Sequence, residues 1–206
     1  MTGCILLVRH GQTEWNLVGR YQGWGDSALT PLGVAQAQAI GRRLRDIPEA
    51  RKAAIVASPL GRARRSAELI REQLGADAPI AFDARLREIS LGSWDGLDRA
   101  EIAALAPGIF SGSGRHEWYF RTPSGETYEA FAGRIASWLG EAEGRTVIVV
   151  AHGIVTRVLR GLYAGLPRAM ALRLPVPQDR IFRLAEGRVA EIEVATIAVP
   201  ETPGSA

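Results

Sequence analysis

The 206-residue chain contains one cysteine, one lysine and three histidines. A single cysteine excludes an intramolecular disulfide. With no His/Cys cluster near it, Cys4 does not suggest a zinc site either. Cys4 opens an apolar run and reads as a small buried hydrophobe, in keeping with a reducing compartment. No apolar run approaches the roughly 20 residues of a membrane helix. The segment MTGCILLVRH lacks the basic start and long apolar stretch of a signal peptide, so the expectation is a cytoplasmic protein without membrane contact. Lys52 is the sole lysine, and alongside abundant Ala and Gly the arginines reflect general usage, so an arginine by itself marks nothing. A net charge of +3 is too small to point to nucleic acid. No G-x-G-x-x-G follows the first strand and no G-K-[ST] loop occurs, which removes the residues that dinucleotide and P-loop sites need.

The sequence instead has a globular composition, 47% hydrophobic and 23% charged, expected to form one domain over residues 1–198 with a flexible tail at 199–206. CILLV (Cys4–Val8) and RTVIVVA (Arg145–Ala151) are short continuous apolar runs, the pattern of strands covered on both faces. AAIVAS (Ala53–Ser58) is a third such strand and Pro79–Leu86 a weaker one. Thr30 as N-cap and Pro31 at N1 start a helix to about Arg45, with Leu32, Ala35, Ala39 and Leu44 on its inner face. Ser58-Pro59 repeats that start for a helix closed by Gly75. Helices are predicted near Arg99–Leu105, from the SGET segment to about Gly144, and after Gly153. The alternating segment Asp179–Thr196 is predicted to turn at Glu186-Gly187 as a hairpin. Strands alternating with helices predict a three-layer α/β sandwich on a mostly parallel sheet, with antiparallel pairing late in the chain.

Two strands end in His-Gly, at His10 and His152. In an open α/β sheet ligands sit beyond the carboxyl ends of the strands, so two central parallel strands would bring both imidazoles to one edge. Arg9 precedes His10, Arg62 lies in the first turns of the helix after a third strand end, and Glu88 follows a fourth. Two arginines, two histidines, a carboxylate and two helix N-termini at one edge suit a phosphate dianion. Arginine charge near His10 would disfavour imidazolium, and a backbone carbonyl on Nδ1–H would turn Nε2 toward phosphorus.

RHGQTEWN, SPLGRARRSA, LREISLGSWDG, PSGET and VIVVAHG occur in the order found in the histidine phosphatase superfamily, the phosphoglycerate mutase-like proteins, and the chain resembles that family from about Leu6 to Gly165. The resemblance implies the phosphoglycerate mutase-like fold, no metal and no cofactor, and a small phosphorylated metabolite as partner; it leaves a homodimer open. It implies that His10 is the nucleophile that becomes phosphohistidine, and that Arg9 and Arg62 bind the phosphoryl group. His152 is then the second histidine at the transferring group, and Glu88 the proton donor. Asn16 and Gly23 match positions that line the phosphate pocket, and Thr13, Gln22 and Gly153 join them as phosphate-binding residues.

Within the family, three departures point to a phosphomonoesterase. The insertion with which mutases grip a carboxylate is missing, leaving only Arg115 and Arg121. Leu91 stands where mutases resemble ERHYGG with a tyrosine, and Ile154 replaces their asparagine after AHG. Arg99 points back, occupying a place where mutases carry a basic residue. The alternatives are a 2,3-bisphosphoglycerate-dependent phosphoglycerate mutase, an α-ribazole phosphatase, and a non-enzymatic phospho-ligand scaffold, which would predict a lost His10, Arg62 or His152. His116, beside Arg115, is a recognition residue or a surface one. Arg64 and Arg65 are expected on the surface. Trp15, Trp24, Trp94 and Trp118 are expected in the core or around the pocket mouth.

Overall fold

The computed structural model describes residues 3–75, 79–111, 114 and 116–195. Six strands form one sheet in the order β3-β2-β4-β1-β5-β6. Its parallel part comprises β1 (Cys4–Arg9), β2 (Ala54–Ala57), β3 (Ile80–Phe82) and β4 (Thr146–Ala151). β5 (Arg180–Ala185) runs antiparallel to β1, and β6 (Arg188–Glu193) closes a hairpin on β5. The mostly parallel sheet with late antiparallel strands is the predicted architecture. The expected tail at 199–206 lies outside the described residues.

Side chains alternate across β1 and β4 and so build two cores. Ile5, Leu7, Val147 and Val149 face one cluster, and Leu6, Val8, Ile148 and Val150 the other. On the first side lie α4 (Arg99–Leu105), α5 (Tyr128–Glu141) and α6 (Gly153–Tyr163), through Ile102, Phe131, Ile135, Val155 and Val158. On the second lie α2 (Pro31–Arg45) and α3 (Gly61–Leu74), through Ile40, Leu44, Ala67 and Ile70. Two short helices, α1 (Glu14–Leu17) and α7 (Arg168–Ala171), sit in connections. Cys4 is buried, as expected. Among the described residues no helix is long and apolar enough to cross a membrane.

Three expectations change. The buried residues of α2 are Gly33, Ala37, Ala39, Ile40, Gly41 and Leu44, so Ala39 and Leu44 face inward as expected while Leu32 and Ala35 are only half-buried. Two glycines drive that rotation: a Cβ on Gly33 would overlap the Gln12 carbonyl, and one on Gly41 would crowd Ile70 of α3. Ser58 is not the cap of α3, which begins at Gly61 with Leu60 at its N-cap position and no side-chain cap from it. The Asp26 carboxylate, from a distant loop, accepts the Arg62 N–H at 3.2 Å instead. The weak strand at Pro79–Leu86 is split, with Ile80–Phe82 on the sheet edge and Ala84–Leu86 a 3-10 turn capped by Asp83.

Candidate active site

Strand register creates the site. Arg9 pairs with Ala151 across β1 and β4, so the next residues, His10 and His152, leave the sheet side by side. The His10 N–H donates to the Ala151 carbonyl at 3.0 Å and fixes that exit. The two imidazole centroids are 5.1 Å apart. Gly11 follows because a Cβ there would overlap the Gly33 carbonyl of α2, so only glycine lets α2 pack this close to His10.

His10 Nδ1 lies 2.7 Å from the Gly11 carbonyl. A carbonyl only accepts, so Nδ1 carries the proton and Nε2 keeps its lone pair. Burial is the main cause holding the His10 imidazole well below its usual value, followed by the charges of Arg62 and Arg9. His152 is held down by burial, Arg62, His10 and Arg9 in that order. His152 Nε2 meets Ser58 Oγ at 2.7 Å, which is where the serine predicted as a helix cap goes.

Arg62 is almost wholly buried. Its Nη1 donates to the Gly25 carbonyl (2.7 Å) and Asp26 Oδ1 (3.2 Å), and its Nη2 to the Gly23 carbonyl (2.9 Å). Gly23 adopts φ +51°, and a Cβ there would overlap the Asp95 carboxylate, so the carbonyl is aimed at Arg62 only with glycine present. Arg9 donates from Nη1 to the Val176 carbonyl at 2.9 Å. Both guanidiniums keep a buried Nε without a partner among the described residues, as does His152 at Nδ1. Such donors are rare because leaving one unpaired costs about 1–3 kcal/mol.

Glu88 caps α6 from outside. Its Oε2 accepts from Ile154 N (3.1 Å) and its Oε1 from Val155 N (3.3 Å) and from its own neighbour Ile89 N (3.0 Å). The carboxylate thus sits on the positive end of the α6 dipole and beside Arg9, since a Cβ on Gly153 would lie 3.7 Å from both Glu88 Oε2 and Arg9 Nε.

These groups open on a cavity of about 260 Å³. Of the residues singled out in the sequence, Arg9, His10, Asn16, Gln22, Gly23, Arg62, Glu88 and Gly153 line it. His152 does not; it stands behind His10, fully buried. Thr13 does not either: it is buried, and its hydroxyl accepts from Asn16 N (3.1 Å) and Gln22 Nε2 (2.8 Å), bracing two lining residues. His116 lines the cavity, its ring 6.0 Å from Tyr119. Arg115 lies outside the described residues.

The chain matches the sequence signature of the histidine phosphatase superfamily (branch 1) over residues 5–188. It belongs to that superfamily. The probable phosphoglycerate mutase GpmB of Citrobacter koseri is 35% identical over 195 residues, covering 87% of this chain and 83% of that protein. YhfR of Bacillus stearothermophilus is 33% identical with a TM-score of 0.75, and the likeness covers 96% of each chain. The mycobacterial glucosyl-3-phosphoglycerate phosphatase solved with VO3 is 28% identical with a TM-score of 0.73, over 94% of this chain and 100% of that one.

In this histidine phosphatase the cavity also takes residues that the motifs do not include: Arg20, Tyr21, Tyr119, Arg157 and Val176. A signal for Arg157 was available, because it sits four residues after Gly153 on a helix and so shares its face. Tyr119 comes from a short 3-10 helix, Glu117–Arg121, and Val176 from an irregular segment, and no periodicity reveals the course of either. Arg99, by contrast, is exposed and stacks on Phe110, 3.9 Å from the ring centroid, and Arg121 binds the Ile109 carbonyl at 2.6 Å; neither lines the cavity. Trp94 and Trp118 are core residues, Trp15 packs on Gly25 and Gly96, and Trp24 is exposed beside Glu88. Arg64 and Arg65 lie on the surface, Arg64 over Phe82 and Arg65 paired with Glu68 and Glu72.

Proposed function

We propose that the chain is a phosphomonoesterase acting on small phosphorylated metabolites through a phosphohistidine at His10. The observation that carries this reading is the Nδ1 contact of His10 with the Gly11 carbonyl, which leaves a neutral Nε2 lone pair at a cavity shared with two guanidiniums. Nε2 attacks phosphorus, the P–O bond to the alcohol breaks, and the equatorial oxygens are stabilised by Arg9 and Arg62, whose buried Nε–H groups have no acceptor among the described residues. Glu88 rests as an acceptor of three N–H bonds, so the proton for the leaving oxygen enters with the substrate monoanion and passes through Glu88. Water then attacks the phosphohistidine, giving its proton to Glu88, and inorganic phosphate leaves as the P–N bond breaks.

Hydrolysis is favoured over mutase chemistry by the outer cavity. Leu91 and Ile154 line it in place of the tyrosine and asparagine of mutases, and Arg99 and Arg121 face elsewhere, although Arg20 and Arg157 do line it. The test is incubation with a generic ester and with 3-phosphoglycerate. Expected are steady phosphate release without 2,3-bisphosphoglycerate and acid-labile phosphate on the wild-type protein that is missing in His10→Ala. Efficient conversion of 3- to 2-phosphoglycerate with negligible hydrolysis would establish the mutase named among the relatives instead. Ligand binding with neither activity would establish a scaffold.

A further inference from the structure

Glu88 is gripped by its main chain as well as by its carboxylate. Arg134, on α5, donates from Nη1 to the carbonyls of Arg85 (2.5 Å) and Arg87 (2.8 Å), and from Nη2 to the carbonyl of Glu88 itself (3.0 Å). The remaining edge of the same guanidinium is bidentate to Glu126, with Nε to Oε1 and Nη2 to Oε2 both at 2.8 Å. All five guanidinium N–H donors therefore have an acceptor, the full capacity of the group. Glu126 extends the grip: its Oε2 accepts from Ser90 N at 3.0 Å, and its own N–H donates to the Ser90 carbonyl at 3.0 Å. The pair is largely screened from water, the two side chains being 17% and 19% exposed. From the opposite side Trp24 Nε1 donates to the same Glu88 carbonyl at 2.8 Å.

We propose that Arg134 and Glu126 are positioning residues for proton transfer by Glu88, a role that rests on the reading of Glu88 given above. A structural staple would tie the loop down anywhere. Here three carbonyls, two just before the proton-transferring residue and one its own, converge on one rigid planar fork. Proton transfer works over a heavy-atom separation of about 2.6–3.2 Å, and a misplacement of about 1 Å costs up to about 100-fold in rate. Lysine keeps the charge of Arg134 but lacks the planar five-donor geometry, so it cannot hold all these acceptors together.

Leaving-group dependence separates positioning from simple support. kcat/KM reports the steps through P–O cleavage. 4-Nitrophenolate departs without a proton, whereas an alkoxide needs one. For Arg134→Lys and Glu126→Gln, kcat/KM for an alkyl phosphate is expected to fall about 10–100-fold while that for 4-nitrophenyl phosphate falls less than about 3-fold. Glu88→Gln, run in parallel, should show the same pattern more strongly. Folding is followed by circular dichroism and thermal melting; if Arg134→Lys does not fold, Glu126→Gln, which preserves side-chain size, is read alone. An equal loss across the whole ester series, with Glu88→Gln still leaving-group dependent, overturns the positioning role and leaves the acid role of Glu88 standing. No leaving-group dependence in Glu88→Gln overturns both.

Discussion

Arg9 Nε, Arg62 Nε and His152 Nδ1 are buried and have no partner among the described residues, and two guanidiniums already suffice to balance a phosphoryl dianion. Arg157 adds a further guanidinium to the same cavity, its Nε fixed by the Leu174 carbonyl at 2.7 Å. One turn after Gly153 on α6, it is within the proposed mechanism a cation available to the part of a substrate that leaves. Charge-assisted hydrogen bonds contribute about 1.5–3 kcal/mol, so Arg157→Gln is expected to lower kcat/KM about 10–100-fold for an ester whose alcohol bears a carboxylate. The same variant should change phenyl phosphate hydrolysis little, and steady-state kinetics on the two esters decide it; equal losses would place Arg157 in general support of the fold. At this scale the sequence was informative where a residue's role follows from its strand end. Arg9 and His10 reach the cavity as expected, because a strand end leaves little freedom, and Glu88 reaches it six residues after β3, beyond the Ala84–Leu86 turn. Thr13 does not line the cavity; its hydroxyl caps α1 and accepts from Gln22, a partnership that no local pattern announces. Arg134 was invisible, because its importance lies in carbonyls 46–49 residues away.

Elements were legible in proportion to how fully their signals are local. β1 and β4 announce themselves because both faces are buried, so Cys4–Val8 and Val147–Ala151 are apolar throughout. α2 begins at Pro31 as predicted, with Thr30 Oγ1 accepting from Gly33 N at 3.0 Å. Ser58-Pro59 carries the same local signal, yet α3 begins only at Gly61, and the Ser58 hydroxyl is shared between Leu60 N (3.3 Å) and His152 Nε2 (2.7 Å). The inner face of α2 turned on glycines, whose contribution is close backbone approach rather than hydrophobicity. The β5–β6 hairpin turned where expected, with Glu186 at φ 54° and Gly187 at φ 69°. A two-residue turn with both residues left-handed favours Asn-Gly, and an exposed glutamate in that region carries a steric penalty. Glu186→Asn is therefore expected to stabilise the protein by about 1 kcal/mol, read as a higher urea midpoint at unchanged slope. A lower midpoint would mean that the Glu186 side chain contributes more than its backbone strain removes.

For the molecule as a whole, the site makes stability depend on pH. Net charge is only +3, so general self-repulsion is weak near neutrality. His10 and His152 are different: burial and neighbouring arginines hold both well below the usual imidazole value of 6.5 in the folded chain, while both titrate normally once unfolded. Between that ordinary value and their depressed folded values, the unfolded chain binds more protons than the folded one. Stability therefore rises with pH through that window and is lost as pH falls below about 6.5, by up to about 1.4 kcal/mol per pH unit for each histidine. Below the folded values the slope vanishes, because both states are then protonated. His10→Gln removes one of the two contributions, so its urea-derived stability should fall less steeply with acid than that of the wild type. The kinetic counterpart is a nucleophile that stays neutral in mild acid, placing any loss of kcat/KM caused by His10 protonation below pH 6.5. Identical slopes for wild type and His10→Gln between pH 6.5 and pH 5 would show that His10 charges as freely folded as unfolded. The nucleophile would then be lost to protonation from the ordinary imidazole value of 6.5 downward, and kcat/KM would fall in mild acid with it.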